Sequence, residues 1–249
     1  MTYTTPGSEF YRYDLYDNMA NQPHLLIAGA TGSGKSVVIN GIVNNIMFRF
    51  PLDRPDGAQM ILIDPKRVEL AMYKNLPHTI RYASEPCEML SALTEAMTIT
   101  ERRYKAMQKR GERKYSGSDI YVIIDEFADL MTTQRRMVAP LIQRLAQIGR
   151  AARVHIILAT QTPIAKVLPT EIKCNFDSRV GLRTRSAQDS RNILGETGLE
   201  CLPRFGQGVY MTPEGEQLYN IPYIDDDTLG KLVAHWTTKR KRGLFSWGR

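Results

Sequence analysis

The chain has 249 residues, and its 43% hydrophobic and 24% charged residues are typical of a globular protein with a sizeable core. No apolar run approaches the roughly 18 residues that cross a bilayer, and no secretory signal is present. We therefore expect a cytoplasmic chain without direct membrane insertion. A partner protein can still recruit such a chain to a membrane. The net charge of +7 is unevenly distributed along the chain, because residues 239–249 hold five basic residues and no acid. The three cysteines are scattered, which excludes a zinc ribbon.

Five short apolar runs, at residues 24–29, 60–64, 120–125, 154–160 and 179–183, predict the strands of a sheet. Their nearly continuous apolar character is typical of strands buried on both faces of a parallel sheet. The stretches 36–50, 86–110 and 134–150 between them predict helices. This alternation predicts an α/β fold, a mainly parallel sheet with helices on both faces. Segments 206–211 and 217–221 flank a turn-rich link and predict a C-terminal β-hairpin.

The first predicted strand runs into a phosphate-binding loop of the pattern GxxxxGK[ST], and a predicted helix follows it. The glycines let the backbone curl so that its N–H groups face phosphate oxygens. Lys35 is expected to reach the β- and γ-phosphates, and the Ser36 hydroxyl is expected to bind Mg²⁺. The predicted nucleotide contacts are Gly29, Ala30, Thr31, Gly32, Ser33, Gly34, Lys35 and Ser36.

Polar residues stand at the ends of the third and fourth predicted strands. Asp125 is expected to hold the Mg²⁺ shell, through a water molecule, as part of the nucleotide site. Glu126, one residue further, is expected to activate water for attack on the γ-phosphate. Gln161 stands where a γ-phosphate sensor usually lies, and a simple turn residue is the alternative that stays open. With Lys35, these residues predict an ATPase that uses ATP and Mg²⁺.

The motifs and the segments around them resemble the motor domain of the FtsK/SpoIIIE DNA translocases. The likeness covers roughly residues 20 to 225 in unbroken order. The segments that carry it are PHLLIAG (23–29), IDPK (63–66), ERRY (101–104), DEFADL (125–130), RAA (150–152), HIILATQ (155–161) and DSR (189–191).

This resemblance implies a RecA-like P-loop NTPase that assembles as a homo-hexameric ring and pumps double-stranded DNA through its pore. In such a ring, an arginine of one subunit reaches the γ-phosphate of its neighbour, and Arg150 is the matching position here. We therefore expect Arg150 to be catalytic. The alternative reading is a helix C-terminal cation that the helix dipole favours.

The sequence departs from the family pattern at Thr162, Ala187 and Arg153, where the family has arginine, lysine and glycine respectively. These departures indicate a distant relative or one that serves a mobile element. Two other functions stay open. The first is a conjugative coupling-type ATPase that acts on single-stranded DNA, and the second is a non-motor assembly switch that binds ATP.

Two basic segments are candidates for contact with DNA phosphates. Residues 101–114 carry seven basic and two acidic residues, and a solvated helix face is the alternative reading. The tail places Phe245 and Trp247 among its basic residues, which suits either a nucleic acid or a protein partner. We divide the chain into an N-terminal extension (1–20), an FtsK-type RecA-like motor domain (21–237) and a basic C-terminal tail (238–249).

Overall fold

A computed structural model of the chain describes residues 2–4, 11–49 and 57–243. Its main feature is an eight-stranded sheet in the order β10-β9-β8-β3-β7-β6-β4-β5. The strands from β8 to β5 in this order pair in parallel, and β9 and β10 form an antiparallel hairpin at one edge. The strands are β3 (His24–Ala28), β4 (Gln59–Ile63), β5 (Thr79–Ala83), β6 (Ile120–Ile124), β7 (Val154–Thr160), β8 (Ser178–Leu182), β9 (Gln207–Thr212) and β10 (Gly215–Asn220). Two short strands, β1 (Thr2–Thr4) and β2 (Tyr11–Tyr13), pair with each other only.

Helices cover both faces of the sheet and form two separate cores. One face packs on α1 (Asp14–Ala20), α2 (Lys35–Arg49) and α7 (Asp226–Gly243). The other face packs on α3 (Pro86–Arg110), α4 (Phe127–Ala152) and α5 (Thr170–Lys173), while α6 (Ala187–Leu194) lies beside β8. No helix in the described part of the chain has the length and apolar character that a membrane crossing requires.

The predicted fold class is confirmed, and the C-terminal hairpin is present. The sequence patterns do not predict β1, β2, β5, α1, α5, α6 or α7, and they place the start of α4 too late. β5 has no continuous apolar run, because Thr79 and Arg81 separate its apolar residues, and at this edge of the sheet only Ala83 is buried. α4 begins at Phe127 rather than at residue 134, and Gln134 has non-helical torsion angles, so the predicted start coincides with a kink inside one longer helix.

The segment before residue 21 contributes to the core through α1. The ring of Tyr16 is fully buried against α2, where a Cβ at Gly41 would collide with it. A glycine inside a helix costs stability relative to alanine, and here it gives the tyrosine room. α7 extends past residue 237, and the side chains of the tail from residue 239 lie outside the described residues. The predicted domain boundaries stay predictions.

A polar cluster closes the edge of the sheet at which β6 and β7 begin. The Arg153 guanidinium donates two hydrogen bonds to the Asp119 carboxylate, at 2.8 and 2.5 Å, and His155 Nε2 lies 2.9 Å from the same group. Arg153 has a φ of 55°, a left-handed conformation that favours glycine. The glycine that the resemblance implies at this position would adopt the same φ without strain. In this chain the pair with Asp119 offsets the backbone strain.

We expect Asp119→Asn to lower the free energy of unfolding at pH 7 by about 2–3 kcal/mol, because charge-assisted hydrogen bonds are lost. Although burial raises the pKa of Asp119, the hydrogen bonds from Arg153 and His155 outweigh it and hold the pKa well below its usual range. Stabilisation from a lowered carboxyl pKa is present above about pH 4 and is lost as the pH falls further. Urea unfolding from pH 7 to pH 3 should therefore show the mutational difference shrinking in acid. The exposed Asp177→Asn serves as the control, and an equal difference at both pH values would contradict the linkage.

Candidate functional site

The phosphate loop, residues 29–36, connects β3 to α2 at the carboxyl edge of the parallel strands. Gly32 and Gly34 have φ angles of 73° and 103°, which side chains disfavour, so the glycine spacing of the motif has a backbone cause. The first N–H groups of α2 have no helical partner and face the loop, as in helix N-termini that bind anions. The loop therefore has the geometry that its sequence pattern predicts for binding phosphates.

Two buried polar side chains inside the loop fit an anion. Lys35 is only 7% exposed, and burial lowers its pKa, against the attraction of Glu126 and Asp125. The Ser33 hydroxyl is buried and has no hydrogen-bond partner among the described residues. A buried cation and a buried unpaired hydroxyl are costly without a partner. A polyphosphate in the loop would satisfy both.

Carboxylates follow β4 and β6, which are neighbours in the sheet. Asp125 is 5% exposed, and burial raises its pKa to about 6, against the attraction of Lys35. Asp64, at the end of β4, is completely buried, and one of its oxygens accepts a hydrogen bond from the Leu70 amide. The other oxygen of Asp64 is unpaired among the described residues. Closely spaced buried carboxylates beside a phosphate loop suit a divalent cation.

The Glu126 carboxylate is held by three residues, which come from the ends of the two strands beside β6. One oxygen lies 3.2 Å from Lys66 Nζ, which follows β4. The other oxygen accepts hydrogen bonds from the Thr160 hydroxyl at 3.0 Å and from the Gln161 amide at 3.1 Å, at the end of β7. Glu126 is 3% exposed. Its position is therefore fixed by both neighbours of β6 in the sheet.

The phosphate loop and β7 also meet directly, since the Thr31 hydroxyl donates a hydrogen bond of 2.6 Å to the Gln161 side-chain oxygen. Gln161 thus contacts the phosphate loop through its side chain and Glu126 through its amide. The structure brings together the predicted Lys35, Asp125, Glu126 and Gln161 at one edge of the sheet. Their catalytic roles stay proposals.

Arg150 lies elsewhere. It is exposed in the last turn of α4, just before β7 begins, whereas Gln161 follows the end of β7. Seven residues of strand at roughly 3.3 Å each separate these positions by about 20 Å. Arg150 lines a polar cavity of about 360 Å³ together with Lys114 and Arg153, at the edge of the sheet opposite the phosphate loop. Arg150 therefore does not reach the phosphate loop of its own chain.

Sequence reasoning assigned no role in the site to Lys66, Thr160 or Asp64. Each of them ends a strand or follows one, and polar residues at the carboxyl ends of parallel strands are the usual signal for a site. The order of the strands decides which of these residues meet, and that order does not follow from the sequence of one chain. β4 and β7 flank β6, so Lys66 and Thr160 reach Glu126 from opposite sides.

One member of the basic segment 101–114 is structural. Arg103 is buried, donates hydrogen bonds to the carbonyls of Ala152 and Arg153, and stacks on the Tyr115 ring. These hydrogen bonds satisfy carbonyl groups at the C-terminal end of α4, so the charge of Arg103 has a role within the fold. The exposed basic residues of the described segment on α3 are Arg102, Lys105, Lys109 and Arg110.

Comparison with known proteins places the site in a family. The family model described as FtsK/SpoIIIE family matches residues 7–119 and 117–165. The DNA translocase FtsK of Rhizobium meliloti (strain 1021) is 35% identical over 266 residues, covering 89% of this chain and 30% of that protein. The DNA translocase SpoIIIE of Bacillus subtilis (strain 168) is 36% identical over 241 residues, covering 88% and 30%. The chain thus spans about a third of the length of these relatives.

Solved structures with the same fold include two ATPase domains at low sequence identity. The pCW3 conjugation coupling protein TcpA superposes with a TM-score of 0.75 at 24% identity, over 93% of this chain and 68% of that chain. The cytoplasmic domain of the Thermomonospora curvata type VII secretion ATPase EccC gives a TM-score of 0.73 at 23% identity, over 86% and 28%. At this identity the likeness concerns the fold alone.

Proposed function

This chain belongs to the FtsK/SpoIIIE family, and from that premise we propose that it is an ATPase motor that translocates double-stranded DNA in a ring of subunits. The observation that carries the proposal is the fixed position of Glu126. Its carboxylate is buried at the carboxyl edge of the sheet and is joined to Lys66, Thr160 and Gln161. A protein that only stored nucleotide would have little need for a restrained base at this place.

The residues at the carboxyl edge of the parallel strands have separate roles in ATP hydrolysis. Lys35 neutralises the phosphate oxygens, and the backbone N–H groups of residues 29–36 bind the remaining ones. Glu126 accepts a proton from the attacking water, and the Gln161 side chain, held by Thr31, orients that water or the γ-phosphate. Thr160 and Lys66 are positioning residues, because they act through Glu126.

The carboxylates and Ser36 fit Mg²⁺. Ser36 lies in the first turn of α2, and Asp125 is buried beside Lys35 with a pKa raised to about 6, chiefly by burial. Mg²⁺ prefers one or two protein oxygens together with phosphates and water. When bound, the cation would supply charge neutralisation at the phosphate oxygens. Asp125, and Asp64 with its unpaired oxygen, would hold its water shell.

In a ring of subunits, a neighbouring copy would supply the arginine that does not reach the phosphate loop of its own chain. Arg150, about 20 Å from Gln161 along β7, is exposed beside Lys114 and Arg153 at the opposite edge of the sheet. If copies are arranged head to tail, this basic edge faces the phosphate loop of the next copy, as heterologous ring interfaces allow. The proposed hexamer, in which Arg150 reaches the neighbour's γ-phosphate, is consistent with this geometry.

The DNA-contacting face that we propose is a basic surface formed by Arg135, Arg136 and Lys166. All three side chains are exposed, and Arg135 donates a hydrogen bond of 2.9 Å to the Lys166 carbonyl. The first turns of α4 connect Arg135 to Glu126 along about 14 Å of helix, and the loop that holds Lys166 begins at Gln161. Movements at the γ-phosphate can therefore reach this surface through two short segments.

ATPase rate against duplex length tests the proposed function. A translocating motor should hydrolyse ATP faster on longer duplexes, until each encounter ends by dissociation rather than at a DNA end. Steady-state turnover should be measured on blunt duplexes of increasing length at equal nucleotide concentration, with single strands of equal length for comparison. A rate that is independent of length would contradict a motor, and stronger activation by single strands would favour the coupling-type ATPase. The link to a mobile element stays a prediction.

The triple change Arg135→Ala, Arg136→Ala, Lys166→Ala should weaken duplex binding and reduce the slope of log affinity against log salt by about 3, since each lost phosphate contact contributes roughly 0.9. Fluorescence anisotropy over a range of salt concentrations measures both quantities. The matched control is Arg102→Ala, Lys105→Ala, Lys109→Ala, which removes the same charge from the exposed face of α3. If only the control changes the slope, DNA binds α3 instead of the basic surface.

A further inference from the structure

The last turn of α4, where Arg150 is exposed, has a hydrogen-bond donor for each of its final carbonyl groups. The last four carbonyls of an α-helix have no partner within the helix, and in α4 they belong to residues 149–152. The Arg153 amide donates to the first two. The Tyr115 amide donates to the third at 2.9 Å, and the Arg103 guanidinium donates to the fourth at 2.8 Å. Protein groups therefore satisfy the whole end of this helix.

Two consecutive residues of α3 hold this end of α4 in place. Arg103 is buried, and its guanidinium donates a second hydrogen bond, of 3.1 Å, to the Arg153 carbonyl. The Tyr104 hydroxyl donates a hydrogen bond of 2.9 Å to the Ile148 carbonyl, one turn earlier in α4. The Arg103 guanidinium carbon lies 4.4 Å from the centre of the Tyr115 ring. Side chains of α3 and of the loop after it thus fasten the backbone on both sides of Arg150.

Three arginines meet at this helix end, and the fold uses the charge of two of them. Arg103 binds the carbonyls at the end of α4, and Arg153 pairs with the Asp119 carboxylate. The exposed Arg150 side chain has neither a hydrogen bond nor an ion pair within residues 2–4, 11–49 and 57–243. The like charges of Arg103 and Arg153 disfavour a position of the Arg150 guanidinium against the body of the protein. The end of α4 therefore presents Arg150 outwards, away from its own chain.

An arginine that acts on a phosphate group must be held precisely, and helix ends do not provide this by themselves. The ends of helices fray, and fixing a long arginine side chain costs up to about 2 kcal/mol of rotamer freedom. A displacement of about 1 Å can slow a reaction by about 10²-fold. Hydrogen bonds to the carbonyls of residues 148 and 151–153 remove the movement of the backbone that holds Arg150. Only the side chain then remains to be ordered on contact with a phosphate.

We propose that Arg103 and Tyr104 are positioning residues for ATP hydrolysis in the neighbouring subunit. They fix the end of α4 so that Arg150 meets the phosphates bound by a second copy of this chain at a defined place. This inference rests on the proposed function and gives residues 101–104 a role that the phosphate site does not. Both residues bind the end of α4, at the edge of the sheet opposite the phosphate loop, so they act on hydrolysis through Arg150.

A double-mutant cycle with Arg150 tests this role. Single-turnover ATP hydrolysis on duplex DNA is measured for the full chain with Tyr104→Phe, which removes one hydroxyl, and with Arg103→Met, which removes both hydrogen bonds to α4. In the parent background we expect rates about threefold and about tenfold lower, within the roughly 10²-fold cost of a 1 Å displacement. ATP affinity should not change. In the Arg150→Ala background neither change should alter the residual rate, because the group that they position is absent.

Tyr73→Phe is the matched control, because it removes another tyrosine hydroxyl that donates a hydrogen bond, here of 2.8 Å to Asn40, and it should change the rate in neither background. If Arg103→Met does not fold, Tyr104→Phe decides the test alone. Equal slowing by Tyr104→Phe in both backgrounds, or no slowing in the parent, would overturn the positioning role and leave the proposed function standing. If Arg150→Ala hydrolyses ATP at the parent rate, the arginine of the proposed function is wrong, and this inference is wrong with it.

Discussion

Glu126→Gln should bind ATP with nearly the parent affinity and hydrolyse it at least 100-fold more slowly. Loss of a positioned general base typically reduces a rate by about 10²–10⁴. The amide retains an oxygen that can accept from Thr160 and from the Gln161 amide, so the local structure should survive. The change removes the proton acceptor and the ion pair with Lys66, and nothing in the phosphate loop. Equilibrium binding and single-turnover hydrolysis measure the two effects separately.

Two further variants show whether the loss belongs to Glu126. Asp129→Asn makes the same carboxyl-to-amide change in the first turn of α4, three residues away, and should retain turnover. Lys35→Ala should lose binding together with turnover, because it removes the buried cation of the phosphate loop. Parent-like hydrolysis by Glu126→Gln would show that another group activates the water, and Asp129 would be the next candidate.

Much of the fold follows from local patterns in the sequence. The parallel strands next to the loop and the helix after it are continuous apolar or amphipathic runs, which sequence patterns identify well. The resemblance to the FtsK/SpoIIIE family is confirmed. What could not be predicted depends on the neighbours of an element. β5 lies at an edge and buries little, and α1 gains its stability from the packing of Tyr16 on Gly41 rather than from its own seven residues.

In the candidate site, too, some residues could be predicted from local motifs and others only from the neighbours of an element. Lys35, Ser36, Asp125 and Glu126 belong to contiguous motifs whose chemistry can be inferred from residue type and spacing. Lys66 could not be assigned, because its contact with Glu126 depends on β4 and β6 being neighbours in the sheet. The use of Arg103 inside the fold also depends on packing, since only the end of α4 explains it. The three-dimensional order of strands and helices decides which charges remain available for a ligand.

Arg150→Ala should bind ATP normally and hydrolyse it roughly 10³-fold or more slowly, within the 10³–10⁵ range that an arginine supplied by a neighbour contributes. The reason is geometric, since β7 separates Arg150 from Gln161 of the same chain by about 20 Å. A guanidinium from the next subunit would add to the charge stabilisation that Lys35 and the phosphate-loop N–H groups provide within one chain. Arg144→Ala, an exposed arginine on the same helix, is the matched control and should retain turnover.

Mixing Arg150→Ala with Glu126→Gln subunits tests whether the arginine acts across the interface, because each variant is inactive alone. A site is complete only when an Arg150→Ala subunit, which has its Glu126, meets a neighbour that has its Arg150. In equal mixture about a quarter of the interfaces of a head-to-tail ring satisfy this, so independent sites should regain up to about a quarter of the parent rate. Native mass spectrometry first establishes that mixed rings form. If mixed rings form and no activity returns, a titration with parent subunits separates the two remaining explanations. A linear rise of the ATPase rate with the fraction of parent subunits places the action of Arg150 within its own subunit. A steep rise means that all subunits must hydrolyse ATP in sequence. Loss of ring assembly by Arg150→Ala alone would make it an interface residue instead.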